Sequence, residues 1–125
     1  MTTVTTAEDR ARAQEVASII NSQIHRGVLM SLGASGLIAT IFEGMSALMF
    51  DARILPFNKN GERAARPAKM KVFVALGGDD TYTVVAVNKG VDHARKTTVY
   101  ADDLNAVLLA LDFDGAEPFN PRYTH

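Results

Sequence analysis

The chain contains no cysteine among its 125 residues. Disulfide bridges, zinc sites built on thiolates and cysteine nucleophiles are therefore excluded, and the sequence is compatible with a reducing compartment. The first residues, MTTVTTAEDRARAQ, also lack the basic start and the apolar stretch of a secretory signal. From these two absences we expect a cytoplasmic protein.

Neither positive nor negative charge is in excess, and no apolar run of membrane length is free of charged residues. The formal net charge is −1, which does not fit a polycation that coats nucleic acid. The most apolar segment, residues 28–50, carries Glu43 and three glycines. A membrane span would have to bury that carboxylate in hydrocarbon, which is costly. We therefore expect no membrane partner.

The residues that are present suit one domain over residues 1–125. The hydrophobic fraction of 47% supplies a single core, and the length fits a single domain. We expect residues 1–6 and 115–125 to be flexible tails. Residues 58–69 are polar and contain Gly61 and Pro67, so they predict a mobile loop.

Helical patterns lie at both ends of the chain. The N-terminal stripe of apolar residues at helical spacing consists of Ala13, Val16, Ile20 and Ile24. The C-terminal stripe consists of Leu104, Val107, Leu108 and Leu111. Both patterns predict amphipathic helices, the first beginning after a capping Thr6 and ending at Gly27.

β-branched and aromatic residues predict strands in the middle of the chain. We expect a short strand at 28–32, a turn or one short helix at 33–44, and a strand at 46–55. Strands at 70–77 and 82–87 have apolar groups on both faces, so something should cover each face of this hairpin. Residues 88–96 are interpreted as a polar turn. The fold class is α+β, with about four antiparallel strands flanked by the N-terminal and C-terminal helices on one face.

The Gly77-Gly78-Asp79-Asp80 stretch between the two central strands has two interpretations. It could ligate a cation, but a calcium loop needs about six oxygen ligands at set spacings. Glycine supplies positive φ, and aspartate hydrogen-bonds its own backbone in turns. We therefore interpret the stretch as a hairpin turn and predict no metal site.

No set of residues predicts catalysis. The LGASG stretch at residues 32–36 is one residue too short for a nucleophile elbow. Its Gly-x-x-Gly spacing also occurs in the backbone-clamping loop of KH domains, but the inner residues Ala34 and Ser35 carry no charge for a phosphate. None of the three histidines has an acid or a second histidine at helical spacing. We expect no enzyme and no cofactor.

Basic residues are concentrated in two polar segments. Between residues 58 and 71 five basic residues face only Glu62, a net charge of +4. If the sheet brings both segments together, a positive patch for phosphates or an acidic protein results; otherwise both are solvated surfaces. The candidate binding residues are Lys59, Arg63, Arg66, Lys69, Lys71, Lys89, Arg95 and Lys96.

The successive stretches VLMSLGA, ALMFDARILPF, MKVFVALGGDDTYTVVAV and VYADDLNAVLLAL resemble small uncharacterised proteins of phage and prophage genomes. Those proteins share a strand hairpin with Asp-x-Tyr in its turn, here Asp80 to Tyr82. They also share a Tyr-Ala-Asp-x-Leu helix start, similar to the Tyr100 to Leu104 stretch. The resemblance spans about residues 20–112, carries over no functional residues, and implies a small accessory protein that works by binding.

We therefore expect a non-enzymatic accessory protein, phage-related by resemblance, that acts through protein–protein contact. A role in modulating a host factor or defence, or a homo-oligomeric role, fits this class. The partner would be a second copy or a host protein, and the methionine-rich middle of the chain suits an adaptable interface. The alternative is a nucleic-acid-binding protein that uses the basic segments 59–71 and 89–96.

Overall fold

The computed structural model describes residues 7–55 and 66–111, which form three α-helices and five strands. The helices are α1 (Ala7–Gln23), α2 (Arg26–Ser31) and α3 (Leu104–Ala110). The strands are β1 (Ser35–Phe42), β2 (Met45–Ile54), β3 (Ala68–Leu76), β4 (Tyr82–Asn88) and β5 (Val91–Val99). A single 3₁₀ turn, Ala101–Asp103, leads into α3.

Each strand pairs antiparallel with the next one along the chain, so the sheet has the order β1-β2-β3-β4-β5. Glu43 and Gly44 connect β1 to β2, and Lys89 and Gly90 connect β4 to β5. All four residues have positive φ, which is the geometry of two-residue turns that match the twist of a hairpin. β1 and β5 are the two edges of the sheet.

The three helices cover one face of the sheet. Alternate strand residues on this face are buried, among them Phe50 on β2, Val72 on β3 and Val84 on β4. The helices add Val16, Ile20, Val28, Leu104 and Leu108 to the same cluster. Burying a large apolar side chain contributes roughly 1.5–3 kcal/mol, so this cluster is the main source of stability in the described residues.

The predicted α+β class is confirmed, with five antiparallel strands in place of about four. The N-terminal and C-terminal helices, the strand at 46–55 and the central hairpin form close to their predicted positions. Ala68 and Lys69, which the sequence assigns to a mobile loop, begin β3. The rest of that loop, apart from Arg66 and Pro67, and both predicted tails lie outside the described residues.

Four assignments between residues 24 and 99 are wrong. The predicted strand at 28–32 lies in α2, because Val28 and Leu32, four residues apart, bury their side chains on one helical face. Residues 33–44, predicted as a turn or helix, contain β1, which is completed by pairing with β2.

The predicted polar turn at 88–96 is limited to Lys89 and Gly90. Residues 91–99 form β5, whose sequence is polar because it is an exposed edge strand. The helix end predicted at Gly27 is also wrong, since α1 ends at Gln23.

Candidate functional site

The sheet has a second face, opposite the helices, which we define by the cross-strand partners Ala47, Ala75 and Thr83 and by Met49, Phe73 and Val85. Ala47, Ala75 and Val85 are fully buried although they lie outside the helix-covered cluster. Something other than the helices must therefore shield them. The side chains of the second face form two groups, one closed and one open.

The closed group is built around two stacked rings. Phe42 from β1 and Phe73 from β3 have ring centroids 4.4 Å apart. Ala47 lies on β2, between the two strands, and its cross-strand partner Ala75 lies on β3 beside Phe73; these small side chains leave room for the rings. The guanidinium of Arg95 from β5 lies 5.7 Å from the centroid of the Phe42 ring, a cation–π distance.

Arg95 is held by two carboxylates. Its Nη1 and Nη2 atoms donate to Glu43 Oε1 and Oε2 at 2.9 and 2.8 Å, and its Nε donates to Asp92 Oδ2 at 2.9 Å. Hydrogen bonds from Arg95 lower the pKa of Glu43, and the bond to Glu43 is the main cause that raises the pKa of Arg95. Glu43 lies in the turn between β1 and β2, and Arg95 lies on β5, so this ion pair reaches across the second face over β3 and β4.

The open group lies toward the other end of the second face. A cleft of about 470 Å³ has Phe73 and Val87 in its wall, and its charged lining residues are Asp51, Lys69, Lys71 and Lys89. We call it the lysine cleft. It forms because Lys71 is the cross-strand partner of both Asp51 and Val87, while Lys89 is in the turn that follows β4.

The ion pairs in the lysine cleft are loose. Asp51 lies 3.7 Å from Lys69 Nζ and 3.5 Å from Lys71 Nζ, longer than the 2.7–2.9 Å or so of a strong charged hydrogen bond. The Lys69 and Lys71 side chains remain 74% and 55% exposed. Because exposed ion pairs contribute little, both ammonium groups can exchange the carboxylate for an anionic ligand.

The structure brings together only some of the predicted binding residues. Lys69, Lys71 and Lys89 share the lysine cleft. Arg66 is exposed just before β3, and Arg95 is engaged by Glu43 and Asp92. Lys96 is the cross-strand partner of Val84, so it belongs to the helix-covered face of the sheet. Lys59 and Arg63 lie outside the described residues.

Sequence reasoning missed Asp51 and Phe73 as cleft residues. The available signal was the alternation in AKMKVFVAL, where Met70 and Val72 are buried while Lys69, Lys71 and Phe73 have the opposite parity. The alternation shows which residues share a face. It does not show that Asp51 of the neighbouring strand would lie opposite Lys71, because that depends on register.

The Gly77-Gly78-Asp79-Asp80 stretch is a hairpin turn, as predicted. Asp79 Oδ1 accepts hydrogen bonds from the Thr81 hydroxyl at 2.7 Å and from the Thr81 N–H at 3.2 Å. The hydroxyl bond is the main reason that the pKa of Asp79 is lowered. Gly77 N–H donates to the Thr81 carbonyl at 2.8 Å. The Asp79 carboxylate is thus used to close the turn.

The edge strand β1 presents a different kind of surface. Its sequence, SGLIATIF, contains no charge and no proline. Leu37 and Ile38 are 38% and 49% exposed. A bulge separates Ser35 from Ile38, after which the strand pairs regularly with β2 as far as Phe42. Residues 38–42 therefore offer a regular and apolar edge.

A groove runs beside this edge, between β1 and α1. One part, of about 590 Å³, is lined by Ile38 to Ile41 on the strand and by Arg10, Ala13 and Gln14 on the helix. The adjoining part is lined by Leu37, Ile38 and Ala39 and by polar side chains of α1. A strand added to β1 would find this groove on its helix side.

The opposite edge, β5, is protected. Its sequence, VDHARKTTV, carries Asp92, Arg95 and Lys96. Register irregularities interrupt its pairing with β4 at two places, and Thr98 has a φ of 55°. Charges and bulges are the usual means by which proteins prevent an edge strand from pairing with another chain. β1 has no charges and only the bulge near its start.

Comparison of the chain with models of protein families, with curated proteins and with solved structures gave no match. Within the described residues, no group of three or more histidine, aspartate or glutamate side chains is placed to hold a metal ion. None of the helices in residues 7–55 and 66–111 has the length and apolar character to cross a membrane. The candidate sites are therefore the lysine cleft and the β1 edge, each argued from its own residues.

Proposed function

We propose that this protein acts by protein–protein contact and without catalysis, and that β1 is the contact surface, paired with β1 of a second copy. The observation that carries the proposal is the unprotected edge at residues 38–42, next to a groove and opposite a protected edge. The accessory, phage-related role that the resemblance implies stays a prediction.

Pairing of two β1 strands would satisfy backbone hydrogen-bonding groups that an unpaired edge strand leaves to water. An edge strand presents unpaired backbone N–H and C=O groups, which another strand can complete. In an antiparallel arrangement about a two-fold axis, β1 brings no like charges together, because it contains no charged residue. Exposed Ile38 would at the same time leave water.

A second copy is the partner that the strand fits best. Two-fold dimers are the commonest symmetric assemblies, and they need a surface that is complementary to itself. β1 meets this need through backbone pairing and neutral side chains, while Ala39 and Ile41 belong to the parity that faces the groove beside α1. Two five-stranded sheets would then form one continuous sheet with all helices on one side.

The test compares one added charge at each edge of the sheet. Ile38→Lys places an ammonium on β1, and Val91→Lys places the same group on β5, where Val91 is 68% exposed. We expect the unmodified chain and Val91→Lys to be dimers by light scattering, and Ile38→Lys to be a monomer that remains folded by circular dichroism.

Amide hydrogen exchange adds a readout that is specific to the strand. Exchange of the β1 amides should slow as protein concentration rises, while that of the β5 amides should not change. A folded Ile38→Lys variant that remains dimeric would contradict the proposal, and so would a dimer whose protected amides lie in β5.

A further inference from the structure

We propose that the lysine cleft is a binding site for single-stranded nucleic acid, in which Lys69, Lys71 and Lys89 contact phosphates and Phe73 contacts a base. The site is separate from the β1 edge, and the inference does not depend on dimer formation. The lysine cleft is open, and its walls combine flexible ammonium groups with apolar surface.

The charge balance of the cleft favours an anion. Three lysines surround a single carboxylate, Asp51. Arg53 adds a further positive charge at the same end of the second face, since it is the cross-strand partner of Lys69. The loose distances to Asp51 leave donor capacity on Lys69 and Lys71, and each ammonium carries three donors.

The apolar part of the cleft favours a base next to those phosphates. Phe73 stacks on Phe42 in the closed group and also lines the lysine cleft. Single strands expose base faces that stack on aromatic side chains, whereas a duplex keeps its bases inside the helix. A cleft that pairs phosphate contacts with one aromatic surface therefore suits an unpaired strand.

The backbone conformation of Lys89 also supports phosphate binding in the lysine cleft. It has a φ of 53°, a left-handed conformation in which asparagine or glycine is the favoured turn residue. Among the described residues Lys89 takes part in no ion pair that would account for a lysine there. Backbone strain of this kind is found at functional sites, and here it places an ammonium at the rim of the cleft.

The experiment is fluorescence anisotropy with labelled oligothymidine and oligouridine, with a labelled duplex DNA and polyglutamate as comparison ligands. We expect saturable binding of the single strands. Three phosphate contacts should weaken it by about 20-fold between roughly 50 and 200 mM salt, since each contributes a logarithmic slope of about 0.7. No binding of single strands at the lower salt would overturn the proposal.

Three variants locate the site. Lys89→Asn keeps a residue that the turn favours, and it should weaken binding about fivefold or more and reduce the salt slope by about 0.7. Lys96→Asn makes the same change on the helix-covered face and should have no effect. Phe73→Leu should weaken binding of single strands about fivefold or more through lost stacking.

Two further outcomes would overturn the proposal. Equal losses in Lys89→Asn and Lys96→Asn would mean that only overall charge matters. Binding of polyglutamate or duplex as tight as that of the single strands, unchanged by Phe73→Leu, would assign the cleft to an acidic protein or to phosphate alone. Thermal melts of each variant establish that the fold is retained.

Discussion

Glu43 and Lys89 occupy the same position in two different hairpin turns, each followed by glycine and each with positive φ. Asparagine is the residue that this position favours, so both side chains need a further explanation. For Glu43 the structure gives one, the paired hydrogen bonds from Arg95. For Lys89 the explanation is its place at the rim of the lysine cleft, where we propose that it contacts a phosphate.

The turn at Lys89 gives a prediction in which stability and binding change in opposite directions. Lys89→Asn should raise the free energy of unfolding by up to about 1 kcal/mol, because asparagine adopts the left-handed conformation more readily. Urea unfolding measures the change. A clear loss of stability would show that Lys89 is held by contacts that stabilise the fold, and would remove the argument from strain.

Glu43 gives a prediction of pH dependence. Its pKa is lowered in the folded state from the ordinary value of 4.5, chiefly by hydrogen bonds from Arg95. A carboxylate with a lowered pKa stabilises the fold above its unfolded pKa, and this stabilisation is lost as the pH falls through the folded value. Glu43→Gln should therefore be less stable than the unmodified chain near pH 7 but equally stable at a pH well below 4.

Thermal melts across that pH range measure the effect of Glu43→Gln. Glu15→Gln, at an exposed position on α1, is the matched control and should follow the unmodified chain at every pH. A difference for Glu43→Gln that stays constant down to the lowest pH would mean that packing of the side chain, and not its charge, is responsible.

Asn105 connects α3 to the junction of α1 and α2 through two hydrogen bonds. Its Oδ1 accepts from the His25 N–H at 2.8 Å, and its Nδ2 donates to the Gln23 carbonyl at 3.0 Å. Gln23 Oε1 also accepts from the Tyr82 hydroxyl at 2.5 Å. The end of α1 is thus held by α3 and by the sheet, which accounts for a break four residues before Gly27.

Asn105→Ala should lower the free energy of unfolding by about 1–3 kcal/mol, because it leaves a backbone donor and a backbone acceptor without their partner. Asn105→Asp keeps the acceptor for His25 and should lose less. Urea denaturation gives both values. If the alanine variant is as stable as the unmodified chain, then water replaces both bonds, and the junction is held by apolar packing alone.

The elements also show what could be predicted from the sequence. α1 and α3 carry helical stripes of apolar residues, and β2 to β4 are rich in apolar, β-branched or aromatic residues, so the sequence predicts these elements near their observed positions. The sequence does not predict β1 and β5, because the residues of neither strand show a strand pattern by themselves. β1 contains Gly36 and a bulge, and β5 is polar and lies at an exposed edge, so β1 depends on pairing with β2 and β5 depends on pairing with β4.

The candidate sites show the same limit. The basic residues that matter were visible in the sequence, and the parity of β3 could have separated Lys69 and Lys71 from the core. Their grouping with Lys89, the exclusion of Lys96 and the engagement of Arg95 by Glu43 depend on strand order and register. Contacts between residues 52 positions apart are not contained in a local pattern.

At the scale of the whole molecule, the sheet is asymmetric in two respects. One face is covered by the described helices while the other has the lysine cleft. One edge is protected by charge and irregular pairing while the other is neutral. The neutral edge supports assembly, and the open cleft supports ligand binding, so the two proposed contacts use different surfaces and can operate together.

If the chain associates through β1, the unmodified protein has twice the mass of one chain in solution. Sedimentation equilibrium over a range of protein concentrations would measure that mass. We predict a species of about 27 kDa, twice the 13.5 kDa of one chain. A mass of 13.5 kDa at every concentration would contradict association through β1, because it would show that the exposed β1 edge does not pair with a second copy.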